Sequence, residues 1–204
     1  MLQLPSLPYA HNSLEPAISE EIMILHHQKH HQTYIDNANT ILKEYNIIQE
    51  KTEKELIEFM NELPNEKKIF FSNNFGGHIN HSLFWEILSP KKTFPSPKMI
   101  QLLTITFGAY EEFQKQFILS AMKHFGSGWT WLIINTEKST LEIKNYTNQN
   151  TPSFEKNIPI IGLDLWEHSY YLQYKNKKKE YFESFFSIIN WQKVEHLLNT
   201  NQFL

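Results

Sequence analysis

The chain has 204 residues, the size of one large domain or two small ones, and 41% of them are hydrophobic, too many for a disordered protein. It contains no cysteine, which excludes disulfides, thiolate zinc sites, iron–sulfur clusters and a cysteine nucleophile. With 19 basic and 22 acidic residues the net charge is −3, and this balance argues against a nucleic-acid-binding protein.

The first half of the chain is predicted to be helical. Residues 19–42 contain neither Pro nor Gly and carry apolar residues at helical spacing, which predicts one long helix. Residues 49–61 predict a shorter amphipathic helix or a loop. Residues 70–88 return to helical periodicity, although Gly76 and Gly77 weaken it in the middle. Two long helices with a connection of medium length predict an antiparallel hairpin.

A change of composition divides the chain after this hairpin. Residues 89–98 contain three prolines and three lysines and are the best candidate for a linker. We therefore expect an N-terminal helical hairpin domain over 1–88 and a C-terminal domain over 99–204. The first part of the second domain, 99–125, predicts one or two helices with a break near Gly108.

The rest of the second domain combines strands and helices. Three runs rich in β-formers, 129–135, 140–146 and 158–165, predict a small three-stranded antiparallel sheet, and the first two form a hairpin. The remainder, 167–204, is helical in pattern. The predicted fold class is thus α+β, an N-terminal helical hairpin followed by a C-terminal α+β domain.

The first candidate functional motif is a cluster of histidines in the first long helix. His26, His30 and Tyr34 recur at every fourth residue, so on a helix they form one column with neighbours one turn apart. His27 and His31 form a second column beside it. An isolated pair of histidines at this spacing is more often structural than metal-binding, so the motif alone decides nothing.

Two later motifs add further metal-binding side chains. His81 lies four residues after Gly77 and four before Trp85, and Asp164 lies four residues before His168 at the end of the third strand. Each has a structural alternative, since glycines permit close helix packing and an aspartate can cap a strand end.

Together, the candidate ligands form a set without sulfur. His26, His81 and His168 offer imidazole nitrogens and Asp164 offers a carboxylate, a combination that suits manganese, iron or zinc. Four protein ligands close a tetrahedral structural zinc site, whereas manganese and iron take a fifth ligand and leave room for catalysis. The spacing does not decide between these metals.

Six motifs, in order along the chain, resemble those of the iron/manganese superoxide dismutase family. They are LPY at 7–9, HHQKHHQTY at 26–34, NNFGGHINHSLFW at 73–85, FGSGWTWL at 125–132, NQN at 148–150 and DLWEHSYYLQY at 164–174. The resemblance implies an enzyme of antioxidant defence that converts two superoxide anions into O₂ and H₂O₂. It further implies that His26, His81, Asp164 and His168 bind one metal ion per subunit.

The resemblance also assigns residues around the metal. Tyr34 and His30 are expected to line the substrate funnel, and Tyr171 to support His30 from the neighbouring subunit. Glu167 is expected to reach His168 of the partner subunit, so the resemblance implies a homodimer. Further residues near the subunit boundary and the tryptophans expected to wall the site are Phe125, Ser127, Trp85, Trp129 and Trp166.

The position of one glutamine distinguishes manganese-type from iron-type members of this family. Gln149 stands where manganese-type members have it, and Gly77 occupies the position that carries the glutamine in typical iron-type members. We expect the missing side chain at Gly77 to make room for the Gln149 carboxamide, and a manganese ion cycling between Mn(III) and Mn(II). Iron remains the first alternative. A catalytically inactive family member and an inert zinc protein are the others.

The resemblance has one departure that concerns the substrate. Lys177 and Lys178 replace an arginine pair frequent in the family, and they keep the positive charge that attracts an anion but lack the planar guanidinium. The N-terminal residues show no secretory signal and no run of 18 apolar residues occurs, so we expect a cytoplasmic protein without membrane contact.

Overall fold

The computed structural model describes all 204 residues, and its first half is a helical hairpin. The bounds are α1 Glu20–Leu25, a π-helical turn His26–His31, α2 Gln32–Glu44, α3 Glu53–Glu62 and α4 Asn65–Glu86. The Ser19 hydroxyl caps α1 by accepting a hydrogen bond from the Ile22 N–H at 3.4 Å. Thr52 and Glu55 form a capping box at the start of α3. The segment 49–61, predicted to be either a helix or a loop, therefore contains a helix.

The two long helices are antiparallel, as predicted. Residue numbers increase along one helix as they decrease along the other. The pairs in contact are His31 with His78, Asn37 with Asn74 and Glu44 with Lys67. Eight buried apolar residues of α2, α3, α4 and their connections form the core of the hairpin: Ala38, Ile41, Leu42, Leu56, Met60, Leu63, Phe71 and Phe75.

The second half begins with two helices and a sheet. α5 covers Pro97–Phe107 and α6 covers Tyr110–Lys123, and the break between them falls at Gly108, whose φ of +98° favours glycine. The strands are β1 Gly128–Asn135, β2 Thr140–Thr147 and β3 Ile158–Asp164. They form an antiparallel sheet in the order β2-β1-β3, which confirms the predicted α+β class.

The C-terminal helices close the main core. They are α7 Tyr171–Tyr174, α8 Lys178–Phe185 and α9 Trp191–Thr200. The central strand β1 is buried along almost its whole length, and its side chains join a cluster of 34 buried apolar residues that also includes α1, α4, α6 and α8. None of the helices combines the length and the apolar character needed to cross a bilayer.

The structure differs from the sequence-based expectation at three places. The first long helix contains the π turn His26–His31, whose extra residue per turn leaves no trace in a 3.6-residue periodicity. α4 begins at Asn65 and not at residue 70. Its first turn is polar and lacks the apolar spacing from which the start of the helix was predicted. α5 begins at Pro97, inside the predicted linker, where Ser96 caps it.

Candidate metal centre

The structure brings the four predicted ligands together. His26 comes from the π turn, His81 from α4, Asp164 from the last position of β3, and His168 from a short 3₁₀ turn that follows. One ligand atom from each lies within 4.8 Å of all the others. The Oδ2 atom of Asp164 is 3.0 Å from Nε2 of His26, 3.2 Å from that of His168 and 3.7 Å from that of His81.

The fold explains this convergence. The antiparallel packing of the hairpin sets the imidazole rings of His26 and His81 4.8 Å apart. On the sheet side, β1 lies between its two partners and sets Trp129 directly opposite Asp164. The Trp129 ring packs edge-on against the His81 ring at 5.2 Å, and this contact joins the sheet to the hairpin at the site.

The hydrogen bonds of the cluster leave lone pairs directed at its centre. His81 donates Nδ1–H to the carbonyl oxygen of Gly77 at 2.6 Å, so its Nε2 carries a lone pair. Nε2 of His81 is buried and has no hydrogen-bond partner. Nε2 of His26 is also buried and, although it lies 3.0 Å from Oδ2 of Asp164, does not meet that atom with hydrogen-bond geometry. Asp164 accepts the Trp166 backbone N–H on Oδ1 at 2.9 Å, which leaves Oδ2 to face the imidazoles.

These atoms fit a metal ion. Buried nitrogens without a partner are costly, and a cation shared among them removes the cost. An ion bound at about 2.0–2.2 Å keeps its ligand atoms within about 4.4 Å of one another, so the observed limit of 4.8 Å requires a contraction of only a few tenths of an ångström. The set of three nitrogens and one carboxylate oxygen is that of manganese, iron or zinc.

Electrostatics favours the ionisation states that bind metals. Burial lowers the pKa of His26 to about 4, although Asp164 opposes the shift, and burial also lowers the pKa of His81 well below its usual value. Burial by itself would raise the pKa of Asp164, but the neighbouring His168 and His26 hold it below its usual value. At neutral pH the site therefore presents neutral imidazoles at His26 and His81 and a carboxylate at Asp164, as metal ligation requires.

The buried histidines predict an acid-labile metal-free protein. Burial also lowers the pKa of His78 to about 4. An unfolded chain binds a proton at each histidine near pH 6.5, so between about pH 6.5 and 4 the unfolded state holds more protons than the folded one. The free energy of unfolding should fall through this window by the order of 3 kcal/mol for each of His26 and His78.

Urea titrations of the metal-free protein at pH 7, 5.5 and 4 would measure this dependence. The variant His78→Gln should show a shallower decline, since it lacks one of the buried imidazoles that take up a proton on unfolding. Equal stability at pH 7 and pH 4 would contradict the assignment of neutral buried imidazoles.

Beside the four ligands, Gln149 links the sheet to Tyr34. The Gln149 side chain is 2% exposed, and its Oε1 accepts hydrogen bonds from Nε1 of Trp129 at 3.0 Å and Nδ2 of Asn80 at 3.2 Å. Both partners can only donate at these atoms, so the amide nitrogen must face the other way. It donates to the Tyr34 hydroxyl at 3.0 Å, which places the two predicted residues in one network.

The role of Gly77 differs from the expectation. A Cβ atom at this position would lie 2.7 Å from the Tyr34 ring, closer than real contacts allow. The missing side chain therefore makes room for the ring of Tyr34, and the Gln149 amide reaches only the hydroxyl of that ring. At Gly76 a Cβ atom would lie 2.2 Å from the Gln149 carbonyl oxygen, so the two glycines together admit both residues of the network.

The other predicted site residues are either buried or half-buried against the ligands or exposed beside them. The His30 ring is exposed and stacks on the His168 ring at 4.1 Å with an interplanar angle of 18°. Trp85 and Trp129 are buried against the ligands, and Trp166 stacks on His168 at 5.6 Å.

Two of the predicted residues have no role within one chain. Glu167 is exposed and Tyr171 is 48% exposed, so the contacts expected of them across a subunit boundary stay predictions. Glu167 and His168 line a surface cavity of about 270 Å³ together with Lys178.

Two features of the site were not predicted from the sequence. Asn80, next to His81, donates to Gln149, and a buried polar residue between a histidine ligand and two glycines was the available signal. The second feature is a chain of hydrogen bonds from Trp85 through His31 to His78. The regular histidine spacing indicated that His31 shares a helix face with His27, but it says nothing about a partner on another helix.

Comparison with protein-family models covers nearly the whole chain. Residues 1–89 match the model described as iron/manganese superoxide dismutases, alpha-hairpin domain. Residues 95–197 match the model described as iron/manganese superoxide dismutases, C-terminal domain.

Proposed function

The chain belongs to the iron/manganese superoxide dismutase family, an oxidoreductase family acting on superoxide, and on that premise we propose a manganese-type centre held by His26, His81, Asp164 and His168. The observation that supports a metal centre at these residues is the meeting of four ligand atoms, remote along the chain, within 4.8 Å. An inactive family member would need to lack part of this set, and the chain has all of it.

The chemistry follows from the family and the site. The bound ion supplies one-electron exchange, so that one superoxide is oxidised to O₂ and a second is reduced to H₂O₂ with the uptake of two protons. The protein must therefore admit a small anion, deliver protons, and keep the ligands in place.

Tyr34 can supply a proton to the site. Its oxygen accepts the N–H of Gln149, so its own hydrogen is free to be donated to a bound ligand. Burial and the charge of Asp164 raise the pKa of Tyr34 to about 12, so the phenol keeps this proton at neutral pH. Gln149 fixes the position of that oxygen and is itself fixed by Trp129 and Asn80. We infer that the pair sets both the proton supply and the redox potential.

The choice of manganese rests on Gln149 and Gly77, and iron is the alternative that the same ligands would accept. The decisive experiment is elemental analysis of the purified protein beside an assay of superoxide removal on the same preparation. We expect manganese and activity together, and loss of activity when manganese is exchanged for iron. Zinc without activity would refute the proposed function, and activity with iron alone would refute only the manganese assignment.

We further propose that the enzyme is a homodimer whose boundary lies beside the site. In one chain the Phe125 side chain is 99% exposed, and Glu167 and Tyr171, which the resemblance also assigns to the boundary, are exposed as well. Burial of a phenylalanine contributes about 1.5–3 kcal/mol, so a second subunit would recover this energy.

A charge at Phe125 should dissociate this dimer. Phe125→Asp is expected to sediment as a monomer at concentrations where the native protein is a dimer, because an unpaired charge at an interface is costly. Phe94→Asp is the matched control, since Phe94 is 71% exposed and lies in the segment before α5. A native protein that sediments as a monomer would refute the homodimer.

Two neighbouring lysines allow a test of electrostatic steering. Lys178 lines the cavity beside His168 and is not paired with a carboxylate, whereas Lys177 pairs with Glu180 at 3.0 Å. We expect Lys178→Gln to lower the rate at low ionic strength several-fold and to flatten its salt dependence, since long-range attraction of an anion is screened by salt.

Lys177→Gln is the control and should have a smaller effect, because Glu180 already neutralises that charge. Stopped-flow measurements at several salt concentrations would compare the two variants. Identical salt dependence in Lys178→Gln and the native enzyme would show that Lys178 does not contribute to the electrostatic attraction of superoxide.

The remaining assignments concern organisation and place. We propose the division into a hairpin domain, 1–88, and a C-terminal domain, 99–204. The hairpin has a small core of its own, while α1 and the end of α4 join the main core together with the C-terminal domain. Action in the cytoplasm in antioxidant defence stays a prediction, which fractionation of the source cells would test.

A further inference from the structure

We propose that His31 is a positioning residue for the metal centre, holding the Trp85 ring through a hydrogen bond and the His81 ring through stacking. The inference rests on the proposed function, because it concerns the ligand cage. His31 is fully buried and lies in the π turn. Its contacts include the predicted ligand His81 and Trp85, whose ring packs on the predicted ligand His26.

The hydrogen bonds of His31 leave only one arrangement of its proton. The indole Nε1 of Trp85 can only donate, and it lies 3.0 Å from Nδ1 of His31, so this nitrogen is the acceptor. The neutral ring then carries its proton on Nε2, which donates to Nδ1 of His78 at 2.9 Å. The Ser82 hydroxyl, 3.4 Å from the same Nδ1 atom, is oriented to donate as well.

The chain of hydrogen bonds runs from the site to the surface but does not conduct protons. His78 is its outer member and lines a surface groove. Its inner member is an indole, which has a single N–H and no lone pair to accept a proton in exchange. The chain therefore ends at Trp85, and its effect on the site is geometric.

His31 affects the orientation of two predicted ligands, His81 and His26. The Trp85 ring is 2% exposed and meets the His26 ring edge-on at 5.0 Å, so a rotation of the indole would displace this ligand. The His31 ring itself stacks on the His81 ring at 5.4 Å with an interplanar angle of 28°. On its other side, the hydrogen bond to His78 prevents His31 from turning. One side chain thus fixes the orientation of one imidazole directly and of another through Trp85.

Two variants separate hydrogen bonding from packing. His31→Phe keeps a flat ring against His81 but leaves the Trp85 N–H without an acceptor. His31→Asn places a side-chain oxygen near the position of Nδ1, so it should accept the Trp85 N–H again. His196→Phe makes the same exchange at an exposed histidine of α9 and serves as the matched control.

The first measurement uses the metal-free protein. The indole N–H resonance of Trp85, assigned by its loss in Trp85→Phe, should exchange slowly with solvent in the native chain. We expect exchange at least about tenfold faster in His31→Phe, because an N–H without an acceptor is not held in place. His31→Asn should restore protection, and fast exchange in the native chain would overturn the inference.

The second measurement is the affinity for Mn(II), with the EPR spectrum of the bound ion. Loss of a residue that orients ligands typically costs 10–100-fold in metal affinity. We expect a weakening of this size and an altered spectrum in His31→Phe and no change in His196→Phe. His31→Asn should recover only part of the affinity, because it accepts the Trp85 N–H again but lacks the ring that stacks on His81. A merely structural role would lower the melting temperature of the metal-free variant without changing affinity or spectrum.

The failures of the two proposals are distinguishable. Native affinity and a native spectrum in His31→Phe would overturn this inference alone. A native protein that binds neither Mn(II) nor Fe(II) would overturn the proposed function, and with it this inference.

Discussion

Replacement of Asp164 by asparagine should abolish superoxide removal and metal binding while leaving the fold intact. The change removes the only negative charge among the four ligands. Oδ2 of Asp164 lies within 3.7 Å of all three imidazole Nε2 atoms, so no other side chain can take its place. Loss of a residue that only hydrogen-bonds to a metal ligand costs up to about a hundredfold in activity. Because Asp164 is itself a predicted ligand, we expect its replacement to cost at least about that much.

The fold should survive because asparagine has nearly the same shape. Its side-chain oxygen can still accept the Trp166 backbone N–H that Oδ1 of Asp164 accepts at 2.9 Å. We therefore expect the metal-free variant to melt close to the metal-free native protein. The native protein should melt higher when metal is added, by the linkage between binding and folding, and the variant should not.

The matched control is Asp36→Asn, the same change at the only other aspartate, which is exposed on α2. It should retain metal, activity and the metal-dependent rise in melting temperature. Metal content measured beside both melting curves is the required experiment. An Asp164→Asn protein that binds metal and stays active would end the assignment of this site.

The second large effect is expected at Gln149. Gln149→Leu removes the hydrogen bond to Tyr34 and leaves the buried N–H of Trp129 without an acceptor. An unsatisfied buried donor costs about 1–3 kcal/mol, so the variant should unfold at lower urea concentration. Activity should fall about 10–100-fold, since the position of the Tyr34 oxygen is no longer fixed.

A double-mutant cycle with Tyr34→Phe tests whether the two side chains act through one bond. If they do, the double variant should lose less activity than the sum of the two single losses, expressed as free energies. Gln101→Leu, at an exposed position of α5, is the control for the exchange itself. Unchanged turnover and redox potential in Gln149→Leu would contradict the proposed network.

Much of the fold could be read from local pattern. The helices of the hairpin, the break at Gly108 and the three strands were predicted within a few residues, apart from the start of α4. Periodicity of apolar residues and the properties of glycine act over short stretches of chain, so they are visible before any packing is known. The π turn could not be recognised in this way, because its extra residue changes the geometry of the helix without changing the amino-acid composition.

The metal ligands are a different case. The identity of the four candidates came from residue type and from a family resemblance, and local pattern alone left zinc, iron and manganese open. Their convergence depends on the antiparallel packing of α2 on α4 and on the pairing of β1 with β3.

Hydrogen bonds between distant residues could not be predicted from the sequence. The pairing of His31 with His78 and Trp85 depends on which turns of two helices face each other, and no pattern within either helix specifies it. Similarly, Gly77 was expected to make room for a carboxamide, but packing puts the Tyr34 ring there. The amino acids alone therefore specified the elements and the chemistry of the ligands. The outer contacts were decided by long-range packing, because they join side chains that only the tertiary fold brings within hydrogen-bonding distance.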